Sequence, residues 1–170
     1  RLVAEAWRQM QSGRPRPVAL EAPPDVLAAT GEVEVTPPSA PSSAPPLDVE
    51  AIEAAAKLLV AAQRPLIFVG GGAQGAGAEV LALAELLHAP VSFPSPAGHR
   101  LWAAADVVIG IGTRLLQPLI NWGTDDRLTI IRIDIDPEEM ARISPPSLGI
   151  LAPSKQATGA LVAAVEAHLT

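Results

Sequence analysis

With 170 residues, 49% of them hydrophobic, the chain is long enough for one medium-sized core with a smaller piece attached. The absence of cysteine excludes disulfides, thiolate zinc sites and a cysteine nucleophile, and makes a cytoplasmic home the default expectation. A net charge of -6 without a Lys/Arg cluster gives no electrostatic reason to expect nucleic acid, and no run of about 18 apolar residues is available to span a bilayer.

The opening "RLVAEAWRQM" reads as an amphipathic helix with Leu2, Val3, Ala6, Trp7 and Met10 on one stripe, and its charges at Arg1, Glu5 and Arg8 rule out a signal-peptide core. A chain that starts inside a helix, without an initiator Met, is expected to be a piece of something longer. "SGRPRP" breaks the helix, "VALEA" predicts a short strand and "PPDVL" a turn. Residues 1–30 are thus a helix and a strand, too little to bury a core alone and expected to need a partner domain. "TPPSAPSSAPP", Thr36 to Pro46, has the Pro, Ser and Ala content of a stiff, extended linker, which places a domain boundary over residues 31–46.

From Leu47 to Thr170 helices and strands alternate. A helix with Ile52, Ala55, Ala56 and Leu59 on one face precedes the strand "PLIFV". A glycine cluster follows, then a helix with Val80, Leu83, Ala84 and Leu87 at i, i+3, i+4 and i+7. "PVSF" predicts the second strand, "AGHRLWAAA" a short helix, "DVVIGIG" the third strand, "LTIIRIDI" the fourth, "DPEEMARI" a helical turn or two and "LGIL" the fifth. The closing helix carries Leu161, Val162, Val165 and Leu169 as its stripe. Strands that are apolar throughout and alternate with helices belong to a parallel sheet covered on both faces. The expectation is a doubly wound α/β domain over residues 47–170 with an N-terminal helix-strand appendage.

The stretch "LIFVGGGAQGAGAEV" is a strand, a glycine turn and a helix start, where bare backbone amides make a ready anion site. Gly70, Gly72 and Gly75 satisfy G-x-G-x-x-G in that setting. The acidic residue that a nicotinamide dinucleotide site wants about 20 residues later is missing, since "VSFPSP" offers only Ser92 and Ser95, so dehydrogenase chemistry is disfavoured. Parallel α/β turns also use glycine simply for positive φ and close packing.

Other strand ends strengthen the ligand reading. The third brings Gly110, Gly112, Thr113 and Arg114 to its carboxyl end and the fourth brings Asp134 and Asp136, which is where open α/β sheets bind ligands. Arg114 suits a diphosphate and Asp134 suits ribose hydroxyls, although Arg114 also reads as a plain surface arginine. Asp136, followed by Pro137 and two glutamates, reads as a helix N-cap. His88, His99 and His168 have no metal-ligand spacing, and Trp7, Trp102 and Trp122 read as packing residues. No catalytic or metal-binding residue is identified.

In order along the chain, "SGRPRPVALEAPPDV", "RPLIFVGGGAQGAG", "ADVVIGIGTRL" and "IIRIDIDPEEM" resemble the central domain of thiamine-diphosphate-dependent enzymes of the acetolactate synthase group, preceded by the tail of their pyrimidine-binding domain. The resemblance implies a Rossmann-like sheet of the DHS-like nucleotide-binding type, set between a pyrimidine-binding and a diphosphate-binding domain. Those two hold thiamine diphosphate and Mg²⁺, so this chain alone would bind neither and would be inactive. It further implies a parent transferase or lyase acting on 2-oxo acids, a homo-oligomer, and a central domain that takes FAD, ADP or nothing. By motif, Arg14, Gly70, Gly71, Gly72, Gly112, Thr113, Arg114, Asp134 and Ile135 correspond to flavin-contacting positions.

Two departures bear on that transfer. Ala152 and Pro153 stand where the family often has an acidic residue after the fifth strand. Pro94 to Ala97 alone join the second strand to the next helix, where the family carries a longer segment that covers the cofactor, so an additional segment is expected there. A freestanding nucleotide-binding module and a ligand-free spacer domain remain the alternatives. An NAD-dependent deacylase is disfavoured by the absence of cysteines for its zinc module.

Overall fold

The computed structural model describes residues 1–35, 37, 40 and 43–170, and the chain divides into two compact units, Arg1–Ala44 and Pro45–Thr170. The expected linker falls partly outside the described residues.

In the first unit α1 (Leu2–Gln11) forms as its periodicity predicts, with Arg8 Nε donating to Glu5 Oε2 at 2.9 Å one turn back. Of its apolar stripe Ala6 is buried, while Leu2 and Val3 are 76% and 73% exposed. The strand expected at Val18–Ala22 does not form, and the turn expected after it is a short helix, α2 (Pro24–Ala28). A strand exists only by pairing, and no strand occurs among the described residues of this unit, so the appendage is two helices rather than a helix and a strand.

The second unit is built on β1 (Pro65–Val69), β2 (Val91–Ser92), β3 (Val107–Ile111), β4 (Thr129–Asp134) and β5 (Leu148–Leu151). All pairings are parallel and the strand order is β2-β1-β3-β4-β5. Ile67, Ile109, Ile111, Ile131, Ile133 and Ile150 point to one face, where α3 (Val49–Ala61), α4 (Gly77–Leu87) and α7 (Ser154–Leu169) cover them. Leu66, Phe68, Val108 and Ile130 point to the other, with Trp102 of α5 (Pro96–Ala104) and Leu115. Alternation along each strand therefore fills two cores, which is why the sequence shows apolar runs rather than a polar-apolar rhythm.

The helix stripes are largely those the sequence predicts. Ile52, Ala55, Ala56 and Leu59 of α3 are all buried, and Asp48 caps the helix by accepting from the Ala51 amide at 2.9 Å. In α7 Leu161 and Val165 are buried, but Leu169 is 51% exposed at the helix end. Asp106, just before β3, accepts from the amides of Gln63 (2.7 Å) and Arg64 (2.9 Å), which fixes the α3–β1 connection to the start of β3. The short join after β2 is closed tightly: Ser95 caps α5 by accepting from the Gly98 amide at 3.0 Å, and a Cβ on Gly98 would lie 2.5 Å from the Phe93 carbonyl oxygen.

Candidate functional site

The chain leaves β1 for β2 on one side and later returns to β3 on the other, so the strand order reverses between β1 and β3. Their carboxyl ends flank the crevice where doubly wound sheets take ligands. Here the two turns touch backbone to backbone. The Gly70 amide donates to the Ile111 carbonyl (3.1 Å), the Gly72 amide to the Gly112 carbonyl (3.0 Å) and the Ala73 amide to the Gly70 carbonyl (3.0 Å). A Cβ on Gly70 would meet the Gly112 oxygen at 2.5 Å, and one on Gly112, whose φ is +57°, would meet the Gly72 carbonyl carbon at 2.4 Å. These glycines are required by the approach of the two turns to each other. The amides of Gly72 and Ala73 are thereby used inside the protein. Gly71 is exposed, its amide takes no part in these bonds, and its Cα faces open space.

Beyond Gly112 the loop carries Thr113 and the exposed Arg114, and Leu115 follows with a φ of 52°. A left-handed conformation in a leucine costs about 1–3 kcal/mol and persists only where packing over-determines it. That packing is present. Leu115 is 1% exposed, its side chain occupies the space over Gly110, and its amide donates to Thr113 Oγ1 at 3.2 Å. Thr113 and Arg114 are held between two left-handed residues, and Arg114 makes no ion pair among the described residues. A π-helical turn, Pro118–Trp122, comes next, with Trp122 stacked on His99 at 5.0 Å and edge-on to Phe68 and Trp102. The tryptophans of this unit pack, as the sequence suggests, and Trp102 Nε1 donates to the Gly123 carbonyl at 2.8 Å.

At the end of β4 the sequence reading is incomplete. Asp134 is buried, its Oδ1 accepting from the Asp136 amide (3.1 Å) and its Oδ2 facing Arg132 Nη2 at 3.4 Å. A ribose at Asp134 would have to compete with both partners. Ile135 is half-buried beside it. Asp136 is the N-cap of α6 (Pro137–Met140), accepting from the Glu138 amide at 3.0 Å, as its context predicts.

Sequence reasoning missed Arg132, which is only 1% exposed. Its Nη1 donates to the Met140 carbonyl at 2.7 Å and its Nη2 to the Thr113 carbonyl at 3.4 Å. Burial lowers its pKa, and the charges of Asp134 and Glu139 oppose that. The available signal was register, since Arg132 lies level with Gly110 on β3 and Gly149 on β5. Arg14, by contrast, belongs to the Arg1–Ala44 unit. Among the described residues no group of three or more His, Asp or Glu is placed to hold a metal ion, and no helix is long and apolar enough to cross a membrane.

Residues 52–101 match the family model described as thiamine pyrophosphate enzyme, central domain. The chain is 34% identical to acetolactate synthase isozyme 1 large subunit of Escherichia coli (strain K12), an alignment covering 98% of this chain and 34% of that relative. It is 33% identical to glyoxylate carboligase of Escherichia coli O157:H7, over 95% of this chain and 32% of the relative. Among solved structures, benzoylformate decarboxylase from Polynucleobacter necessarius superposes with a TM-score of 0.74 at 19% identity, over 96% of this chain and 36% of that one, which shows a common fold. The chain spans about a third of the length of the curated relatives it matches.

Proposed function

We infer, for a chain that belongs to the thiamine pyrophosphate enzymes and carries their central domain, that its parent is an acetolactate-synthase-like enzyme. That parent would act on 2-oxo acids by decarboxylation and carboligation, as a cytoplasmic homo-oligomer. In it, thiamine diphosphate and Mg²⁺ would be held by a pyrimidine-binding and a diphosphate-binding domain, as membership of that family implies.

This domain's own contribution would be a seat for a nucleotide diphosphate, as in FAD or ADP. One observation carries that reading. Where the turns after β1 and β3 interlock, the exposed Gly71 amide and the exposed Arg114 are left outside the internal bonds. A guanidinium and an unused backbone amide on two interlocked turns are the kinds of donor that phosphate oxygens take. Thr113 and Ile135 would flank the ligand, and Asp134 would receive a ribose only by giving up the Asp136 amide or Arg132. A bound flavin would bring its ring and redox chemistry, whereas the residues here would only bind and orient it.

A second reading has its own support. The interlocked glycines and the inward-turned Asp134 suit a domain that spaces its neighbours without a ligand. Calorimetric titration with ADP separates the two. Removing the charged partner of a desolvated phosphate costs about 2–5 kcal/mol, so Arg114→Ala is expected to weaken binding by at least about 30-fold. Equal affinity in both proteins would move the ligand elsewhere, and no binding at millimolar ADP would leave the spacer reading.

A further inference from the structure

We propose that Arg132 is the positioning residue of the Arg114 loop, a buried strut that holds the turn after β3 through the Thr113 carbonyl and sets where Arg114 stands. Its guanidinium reaches two neighbouring connections at once, the Thr113 carbonyl in the loop after β3 and the Met140 carbonyl at the end of α6. Asp134 Oδ2, 3.4 Å from Nη2, balances the charge on the same strand face.

The in-register neighbours of the arginine are both glycines. Gly110 and Gly149 stand level with Arg132 on the two neighbouring strands, and side chains in one row of a parallel sheet point to the same face. The space that side chains at those glycines would fill is taken by Leu115 and Thr113 on one flank and by Met140 on the other. These same residues belong to the two connections that the guanidinium joins. The Arg132 Nε, buried and without a hydrogen-bond partner, shows that the side chain is not placed to satisfy itself. What its two terminal nitrogens hold are backbone carbonyls of other segments.

Leu115 gives an independent reason to need such a strut. A strained residue next to Arg114 has relaxed alternatives, and relaxation would carry Arg114 with it. Leu115 packing against Gly110 and Arg132 holding the Thr113 carbonyl act on the loop from the same face of the sheet. The proposal rests on the reading of Arg114 as a phosphate-binding residue for its purpose, but the strut has its own readout.

Trypsin supplies it, because cleavage after Arg114 requires this loop to open, whereas cleavage after the exposed Arg127 requires only the bend before β4, where Asp125 holds it. The full chain is digested under native conditions and the two cuts are followed by mass spectrometry in wild type, Arg132→Met and Arg132→Lys. Methionine fills most of the volume without a charge but leaves the buried Asp134 without its counter-charge, a general loss of stability that bears on both cuts, so the ratio of the cuts is what is read. Losing a charged hydrogen bond to the loop is expected to raise the Arg114 cut relative to the Arg127 cut by about 10-fold in Arg132→Met, and by less in Arg132→Lys, which keeps one donor. ADP affinity is expected to fall by about 10-fold in Arg132→Met, with partial rescue in Arg132→Lys.

An unchanged ratio, or an equal rise at both cuts, would overturn the strut. A raised ratio with undiminished ADP affinity would overturn its positioning role. A raised ratio in Arg132→Met together with a wild-type chain that binds no ADP would uphold the strut and remove the nucleotide reading of Arg114. Should Arg132→Met fail to fold, the ratio in Arg132→Lys decides.

Discussion

The Gly72 amide donates to the Gly112 carbonyl across 3.0 Å, so the turns that end β1 and β3 are joined through their backbones. Because a Cβ on Gly112 would come within 2.4 Å of the Gly72 carbonyl carbon, at a φ of +57°, the Gly112→Ala protein is expected to lose at least about 2 kcal/mol. Gly71→Ala, whose Cβ meets nothing within 4 Å, is expected to stay within about 0.5 kcal/mol of wild type. Urea unfolding of the two proteins checks the difference, and equal losses would show that the interlock is not what these glycines serve.

Asp106 gives a pH dependence. Burial alone would raise its pKa, but the amides of Gln63, Arg64, Asp106 and Val107 together outweigh that and hold the carboxyl below its ordinary value. A carboxylate with a depressed folded pKa contributes stability above the unfolded pKa of about 3.9 and loses it as the pH falls through the lower folded value. Asp106→Asn is therefore expected to unfold at a lower temperature than wild type at pH 7, and the gap should narrow below pH ~4. A gap that stays constant with pH would mean that the ionised carboxylate is not what ties the α3–β1 connection to β3.

Trimming the chain to begin at Pro45 tests whether the second unit is self-sufficient. Both buried apolar clusters of that unit draw their residues from positions after 46. Removal of Arg1–Ala44 is expected to leave one cooperative unfolding transition with its midpoint within a few degrees, as expected for a change of under about 1 kcal/mol. Loss of cooperativity would show that the first unit is needed for the fold.

The second unit was legible because its strands are short apolar runs and its helices carry clean stripes. Ile52, Ala55, Ala56 and Leu59 are buried where the period puts them, and the Asp136-Pro137 pair begins a helix for the reason its chemistry suggests. Two features escaped. The strand expected in "VALEA" depended on a pairing partner, which a local pattern cannot supply. Arg132 looked like one polar residue in an apolar strand, and only the fold brings the Thr113 and Met140 carbonyls to its guanidinium. The same gap affected Asp134: its place at a strand end was readable, but its hydrogen bonds to the Asp136 amide and Arg132 depend on tertiary geometry.

The most direct test of a nucleotide seat at the sheet's carboxyl edge is an amide chemical-shift titration of the ¹⁵N-labelled chain with ADP. Saturable shifts are expected, concentrated at Gly71, Thr113, Arg114 and Ile135, with Gly72 and Ala73 less affected because their amides are already bonded within the protein. Shifts confined to residues away from the ends of β1, β3 and β4, or none at millimolar ADP, would contradict such a seat.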